Sequence, residues 1–317
     1  MWKRKFWICV MLAGLTVSIN SCKKTSGASL IFISTTVLDS FPSASAIEYY
    51  NDQLYIFGDD ASHLLVLDTN YQIRNTIRFL SDTSYRIAKE TKPDVESAAT
   101  FKQGNTIYLY GFGSMSSSAR KVFFCFPLSQ PNSFKRQNSI LTDTTAIEEL
   151  NIEGAAFVNG DLYFSNRANT THTINKIIKN KFHLNQSGIA SYTTVSAQEL
   201  HLPTTKSIAG VSGLYYVAEK DLMIFTASEE NTPNAIDDGE IGESYLGFIP
   251  QFSRRKAKII RVENLLKLSE VSTKFQNQKI ESLCVQRVMG DKMVLHLAAD
   301  NDNGKSALFK LMCRFDF

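Results

Sequence analysis

Helical periodicity is nearly absent from this chain of 317 residues. The one stretch with helical apolar spacing is RVENLLKLSEV at 261–271, where Val262, Leu265, Leu266 and Leu268 predict an amphipathic turn or two decorating a β unit. Catalytic signatures are equally scarce. There is no GxSxG nucleophile elbow, because GFGSMSSS at 111–118 has the wrong spacing, and there is no HExxH. His63, His172, His183, His201 and His296 are scattered without metal-ligand spacing, which assigns them to core or surface positions. No CxxC or zinc-type cysteine pattern occurs. The formal charge of +3 falls to about zero without Lys3, Arg4 and Lys5, so the electrostatic basis for binding nucleic acid is missing.

Those three cations belong to a targeting segment. Lys3-Arg4-Lys5 forms a positive start, Phe6 to Val17 an apolar or small run, and Ile19-Asn20-Ser21-Cys22 a small-residue site ending in cysteine. That is the layout of a bacterial lipoprotein signal at 1–21, with acylation at Cys22. The alternative is an ordinary secretory signal with an incidental cysteine. The apolar run is short of the ~20 residues that span a bilayer. Residues 22–28 then read as a tether and 29–317 as one large domain, held in the cell envelope at a membrane and facing the periplasm, since Lys23-Lys24 lacks the acidic run of surface-export signals. Acylation of Cys22 leaves Cys125, Cys284 and Cys313, an odd number; buried free thiols are expected, with a Cys284–Cys313 bridge as the alternative.

What the chain does contain is a repeat. VESAATF, IEGAAFV and IESLCVQ, carrying Glu96, Glu153 and Glu281, each open a short apolar strand followed by a second. Two degenerate copies, SASAIEYYNDQLYIFGDD and GVSGLYYVAEKDLMIFTASEE, complete starting points at 43, 96, 153, 211 and 281. Such intervals suit a four-stranded unit with turns, and hence an all-β chain folded as a single β-propeller of five blades. Six blades would require an extra degenerate blade in the long fourth interval. The last copy holds only three strands, and SLIFISTTVL at 29–38 is the expected fourth, closing the ring and removing an exposed sheet edge.

In a meander blade, the connection into the first strand and the connection after the second emerge on the same face. The charged residues occupy those connections: Glu96, Glu153 and Glu281 at the first, and Asp59, Asp60, Arg167, Glu229-Glu230 and Asp300–Asp302 at the second. Lys92, Asp94 and the acidic loop holding Asp238 join them, so all are expected to ring one mouth of the channel. Crowded carboxylates raise one another's pKa or demand a cation. An oxygen-rich, sulfur-poor set suits Ca²⁺ or Mg²⁺, with Glu153, Glu96 and Glu281 as candidate ligands. Equally, these glutamates could cap turns and pair with Lys92 or Arg167. Ser114 and Ser116–Ser118, with Gly113 and Arg120, are a weaker candidate for an anion pocket.

On SASAIEYYNDQLYIFGDD, KPDVES with GFGSMSSSAR, NIEGAAF with SNRAN, and DDGEIGES, the chain resembles a family of Bacteroidota propeller proteins known only as a domain of unknown function. It departs from that pattern at Gly111-Phe112-Gly113-Ser114 and Arg167-Ala168-Asn169. More distantly, its first two strands per unit are similar to calcium-dependent propeller hydrolases, the esterase-like phytase and gluconolactonase-like groups. That resemblance implies a metal ligand at Glu153 of IEGAAF, although the lactonase fold has six blades.

Two functions follow as expectations. The first is a lipid-anchored binding or scaffold module presenting its polar mouth to a small polar ligand or an envelope protein. The alternative is a Ca²⁺- or Mg²⁺-dependent hydrolase of phosphoesters or lactones, with Arg167 or Lys92 holding the anion. The first is favoured because no complete set of nucleophile, base and orienting group is visible.

Overall fold

The computed structural model describes residues 27–139, 147–185, 189–203, 205–234, 239–301 and 304–316. Cys22, Asp238 and Asp302 lie outside the described residues. Twenty-one strands are placed in chain order. After β1 (Gly27–Leu38), blade 1 comprises β2 (Ala44–Tyr50), β3 (Gln53–Gly58), β4 (His63–Asp68) and β5 (Ile73–Arg78). Blade 2 comprises β6 (Val95–Gln103), β7 (Thr106–Gly113), β8 (Val122–Pro127) and β9 (Lys135–Asn138), and blade 3 β10 (Ile152–Val158), β11 (Asp161–Asn166), β12 (Asn175–Leu184) and β13 (Ala190–His201). Blade 4 comprises β14 (Ala209–Val217), β15 (Leu222–Glu230), β16 (Ile241–Pro250) and, after β17 (Ile259–Arg261), β18 (Asn264–Lys267). Blade 5 comprises β19 (Ile280–Met289), β20 (Lys292–Asp300) and β21 (Ser306–Asp316), and β1 is its outer strand, antiparallel to β21 from Gly27↔Asp316 to Leu38↔Ser306.

The apolar side chains explain why the sheets form a ring. The first two strands of each blade are largely buried on both faces, so each sheet must be covered twice. Five buried clusters result, one in each wedge between adjacent blades: around Phe57 and Phe124 between blades 1 and 2, Phe112 and Phe164 between 2 and 3, Phe225 and Ile260 between 3 and 4, Phe248 and Phe309 between 4 and 5, and Phe41 and Leu308 between 5 and 1. β1 completes blade 5, and its end and the turn after it deliver Leu38 and Phe41 to the fifth wedge.

One expectation changes, and five blades rather than six are found. The helix at 261–271 is β18 plus a single turn, α1 (Leu268–Val271). Alternation with a period of two wins because β16 offers an open ladder edge: Leu265 packs toward the wedge with blade 3 and Leu266 toward the wedge with blade 5. The long fourth interval holds no sixth blade; its surplus is β17, which adds in parallel to the outer strand of blade 3 through Glu199↔Ile259 and Leu200↔Ile260. Cys125, Cys284 and Cys313 are buried free thiols. Cys284 and Cys313 lie in different wedges, on strands separated by β20, so they cannot meet.

Candidate functional site

All five inner strands carry a β-bulge at the same height. The register skips one residue opposite the second strand, and the extra residues are Ser45, Glu96, Glu153, Ser212 and Glu281. A bulge re-aims the side chain of its extra residue, and here it turns the three repeat glutamates toward the channel mouth. Where the extra residue is serine, its hydroxyl instead ties to the next blade, Ser45 to the Val95 carbonyl (2.5 Å) and Ser212 to the Ile280 carbonyl (2.7 Å). Two residues earlier on the same face stand Ser43, Asp94, Asn151, Gly210 and Lys279. The residue leaving each second strand donates its backbone N–H to that position: Asp59 to Ser43 (3.1 Å), Ser114 to Asp94 (2.9 Å), Arg167 to Asn151 (2.9 Å) and Asp300 to Lys279 (3.2 Å). Five-fold backbone repetition thus frames a mouth whose side chains differ blade by blade.

The glycine after Glu153 has a packing reason. A Cβ at Gly154 would stand 2.5 Å from Ser165 Oγ and 2.8 Å from Leu214 N, so β10 approaches β11 and β14 too closely for a side chain. Gly210 explains why blade 4 has no charged group at its position. A Cβ there would lie 2.5 Å from Cγ and 2.6 Å from Nε of Arg167, whose side chain occupies that space.

The charges form two knots around a cavity of about 70 Å³. In the first, the buried Arg167 guanidinium meets Glu153 Oε2 (3.2 Å), Glu230 Oε2 (2.8 Å) and Glu281 Oε2 (3.5 Å), while Lys279 reaches Glu230 (3.3 Å) and Glu281 (3.0 Å). Asn151 donates to Glu153 Oε1 at 2.8 Å. In the second, Lys92 Nζ bridges Asp59 Oδ2 and Asp94 Oδ1, and Asp94 Oδ2 accepts from Arg120 (2.8 Å) and Ser114 (2.5 Å). Glu96 lies between the knots, and its side chain makes neither a hydrogen bond nor an ion pair among the described residues; its carboxylate, with those of Asp59 and Asp94, offers oxygens within 4.8 Å of one another. Asp59 Oδ1 and Glu281 Oε2 are buried without a hydrogen-bond partner.

Among the described residues, seven carboxylates, those of Asp59, Asp94, Glu96, Glu153, Glu230, Glu281 and Asp300, line the cavity with five cations, those of Lys89, Lys92, Arg120, Arg167 and Lys279, a formal surplus of two negative charges. Protons answer that surplus. Burial, then the charges of Asp94, Glu153 and Asp59, hold the Glu96 carboxyl well above the usual range. Burial pushes Glu153 up to about 7 despite Arg167, and Asp59 up to about 6 despite Lys92. Burial acts the same way on Glu230, but Arg167 and Lys279 outweigh it and hold its carboxyl below the ordinary value.

Of the residues singled out in the sequence, Asp59, Lys92, Asp94, Glu96, Glu153, Arg167, Glu281 and Asp300 meet at this cavity. Asp60 does not line it; its Oδ2 pairs with Arg86 at 2.5 Å. Glu229 faces away, because consecutive strand residues point to opposite sides; it accepts from Tyr245 Oη at 2.8 Å, and Glu230 takes the inner place. The anion pocket at Ser114–Ser118 is instead a cradle for Asp94, as Arg120 and Ser114 bind that carboxylate. Lys279 and Asn151 were missed, although the spacing was readable: Asp94-Val95-Glu96, Asn151-Ile152-Glu153 and Lys279-Ile280-Glu281 place polar residues two apart, on one face of a strand.

A family described as one of unknown function, DUF6929, matches residues 40–313. The chain belongs to this family. No curated protein matches it. Among solved structures, the glutaminyl cyclase of Myxococcus xanthus is 12% identical over 92% of this chain and 98% of that one, with a TM-score of 0.51. A member of the DUF4221 family from Bacteroides vulgatus is 10% identical over 92% and 100%, with a TM-score of 0.35. A mutant alpha-L-arabinanase from Cellvibrio cellulosa is 12% identical over 88% and 92%, with a TM-score of 0.47. At such identities, the cyclase likeness shows the fold alone.

Proposed function

We propose that this propeller is a binding module, lipid-anchored through Cys22 on the periplasmic side of the envelope, whose channel mouth takes one small cation, Ca²⁺ or Mg²⁺, in exchange for protons. The observation that carries the reading is Glu96, a carboxylate at the cavity with no hydrogen-bond or ion-pair partner among the described residues, beside the buried Asp59 Oδ1, which has no hydrogen-bond partner there either. Glu96, Asp59 and Asp94 would hold the ion, an all-oxygen set suited to a hard cation, with Lys92 withdrawing from Asp59 and Asp94 as it enters. The formal surplus of two negative charges matches one divalent ion. A cavity of about 70 Å³ admits an ion with a few waters, not an organic molecule of drug size, whose pockets span roughly 300–1,000 Å³.

The hydrolase reading is less well supported. It needs an uncommitted cationic side chain for the substrate's anion, whereas Arg167 is engaged by three carboxylates and Lys92 by two. An ion at the mouth therefore serves binding, of itself or of a small polar ligand or envelope protein docking over it.

Melting curves with Ca²⁺ or Mg²⁺ and with chelator test the reading. At a hundredfold excess over the dissociation constant, wild type should gain about 5 °C, and Glu96→Gln should gain nothing. Without ion, Glu96→Gln should melt higher than wild type in alkaline buffer and equally in acid. A carboxyl whose folded pKa is raised contributes stability below its unfolded pKa and loses it as pH rises through the folded one. An equal ion-induced shift in Glu96→Gln would remove Glu96 from the site.

A further inference from the structure

The sequence SRRKAKIIR at Ser253–Arg261 puts five basic residues into nine, in a mature chain of about zero net charge. This segment is the strap that reaches from blade 4 to blade 3. Its backbone is pinned inward: Phe252 is buried edge-to-face against Tyr163 (5.2 Å), Gln198 Nε2 donates to the carbonyls of Arg255 (3.2 Å) and Ala257 (2.6 Å), and Glu199 N donates to the Lys258 carbonyl (2.9 Å). Its basic side chains lie on the surface, Arg255 donating to the Pro250 carbonyl (3.2 Å), while Ile260 is buried. Arg254, Arg255, Lys256, Lys258 and Ile259 are all exposed. Arg254 lies 3.8 Å from Asp221, a carboxylate already accepting from Tyr216 and Ser253, and Lys256, Lys258 and Arg261 have no ion-pair partner among the described residues. Charge on an outer strand also blocks edge-to-edge association, but either sign would serve that purpose, and here a fixed surface of one sign results.

The location narrows the partner. Gly27 opens β1 at the end of blade 5 remote from the mouth, opposite Asp316, while Leu38 closes it beside Ser306 and Asp300. Asp221, against which Ser253 and Arg254 rest, is in the β14–β15 turn at that same remote end, where Arg255 also donates to the Pro250 carbonyl, whereas Lys258 and Arg261 stand beside Glu199 and His201 at the other end of β13. β1 also leans on blade 4, with Phe32 edge-on to Phe275 at 6.0 Å. Residues 22–26 span at most about 18 Å, so an acyl group on Cys22 would keep this end of blades 4 and 5 near lipid. We infer that Arg254, Arg255 and Lys256 rest on anionic lipid headgroups, seating the propeller with its mouth turned away from the bilayer. The inference leans on the anchor for its geometry and is independent of the cation site.

Vesicle sedimentation tests it with the mature chain carrying Cys22→Ser, so that no acyl chain contributes. Binding is expected to phosphatidylcholine vesicles containing about one third phosphatidylglycerol, not to phosphatidylcholine alone, and to weaken as salt is raised. The variant R254E/R255E/K256E should bind at least tenfold more weakly, since each basic residue near an anionic surface is worth roughly fivefold. An unchanged melting temperature shows that it folds, and three glutamines at the same positions replace it if it does not. Equal binding to both vesicle types, undiminished binding by the variant, or binding to heparin without binding to vesicles would overturn the inference.

Discussion

Deletion of residues 27–38 is expected to abolish the folded ring. β1 forms the whole outer ladder of blade 5, buries Leu30 and Phe32 against the wedge with blade 4, and supplies Leu38 to the wedge with blade 1. Losing a ladder of that length, at about 1 kcal/mol per hydrogen bond, together with two wedge contacts amounts to roughly 10 kcal/mol. That is the scale of a whole domain's stability. The deleted chain should be insoluble or should bind a hydrophobic dye without a cooperative melt. A soluble, cooperative product melting near wild type would show that the ring closes without β1.

Arg167→Ala should be the most damaging single substitution at the mouth. It leaves Glu153, Glu230 and Glu281 buried with only Lys279 to answer them, and breaking a buried ion pair from one side costs about 3–5 kcal/mol. The loss has a sign in pH. Without the guanidinium, the folded pKa of Glu153 rises further and Glu230 loses the main charge that holds its own down, so the variant keeps most of its stability in acid and loses it as pH increases. Urea midpoints in acid and in mildly alkaline buffer should therefore diverge more for Arg167→Ala than for wild type. Adding Glu153→Gln should recover part of the loss in alkaline buffer. A deficit equal at both pH values, unaffected by Glu153→Gln, would mean that Arg167 acts through packing alone.

How much of this was legible before the fold differs by element. The repeat glutamates announced three inner strands, because a bulge that aims a carboxylate at the mouth uses the same short motif each time, Val or Ile, then Glu, then Gly or Ser, and two degenerate copies completed the five. Ring closure was legible because the last unit was one strand short. Blade 4 hid its place in the pattern: Gly210 carries no charge because Arg167 from blade 3 fills its space, a relation between blades that no local motif records. Choosing Glu230 over Glu229 required the strand's phase, and each fits a carboxylate-rich exit equally well as sequence. The strap was invisible for a related reason. Its strand, β17, is three residues long and pairs with another blade, so its apolar Ile259 and Ile260 gave no period to read.

The central claim is that the mouth exchanges protons for a cation, and calorimetric titration of the purified chain with Ca²⁺ or Mg²⁺, in two buffers of different ionisation heat, tests it most directly. Glu96, Glu153 and Asp59 hold protons above the ordinary carboxylate range, so the ion must displace them. The predicted result is a buffer-dependent heat reporting net proton release, with affinity rising from about pH 6 to about pH 8. Absence of binding by either ion, or binding with no buffer dependence and no pH dependence, would contradict it.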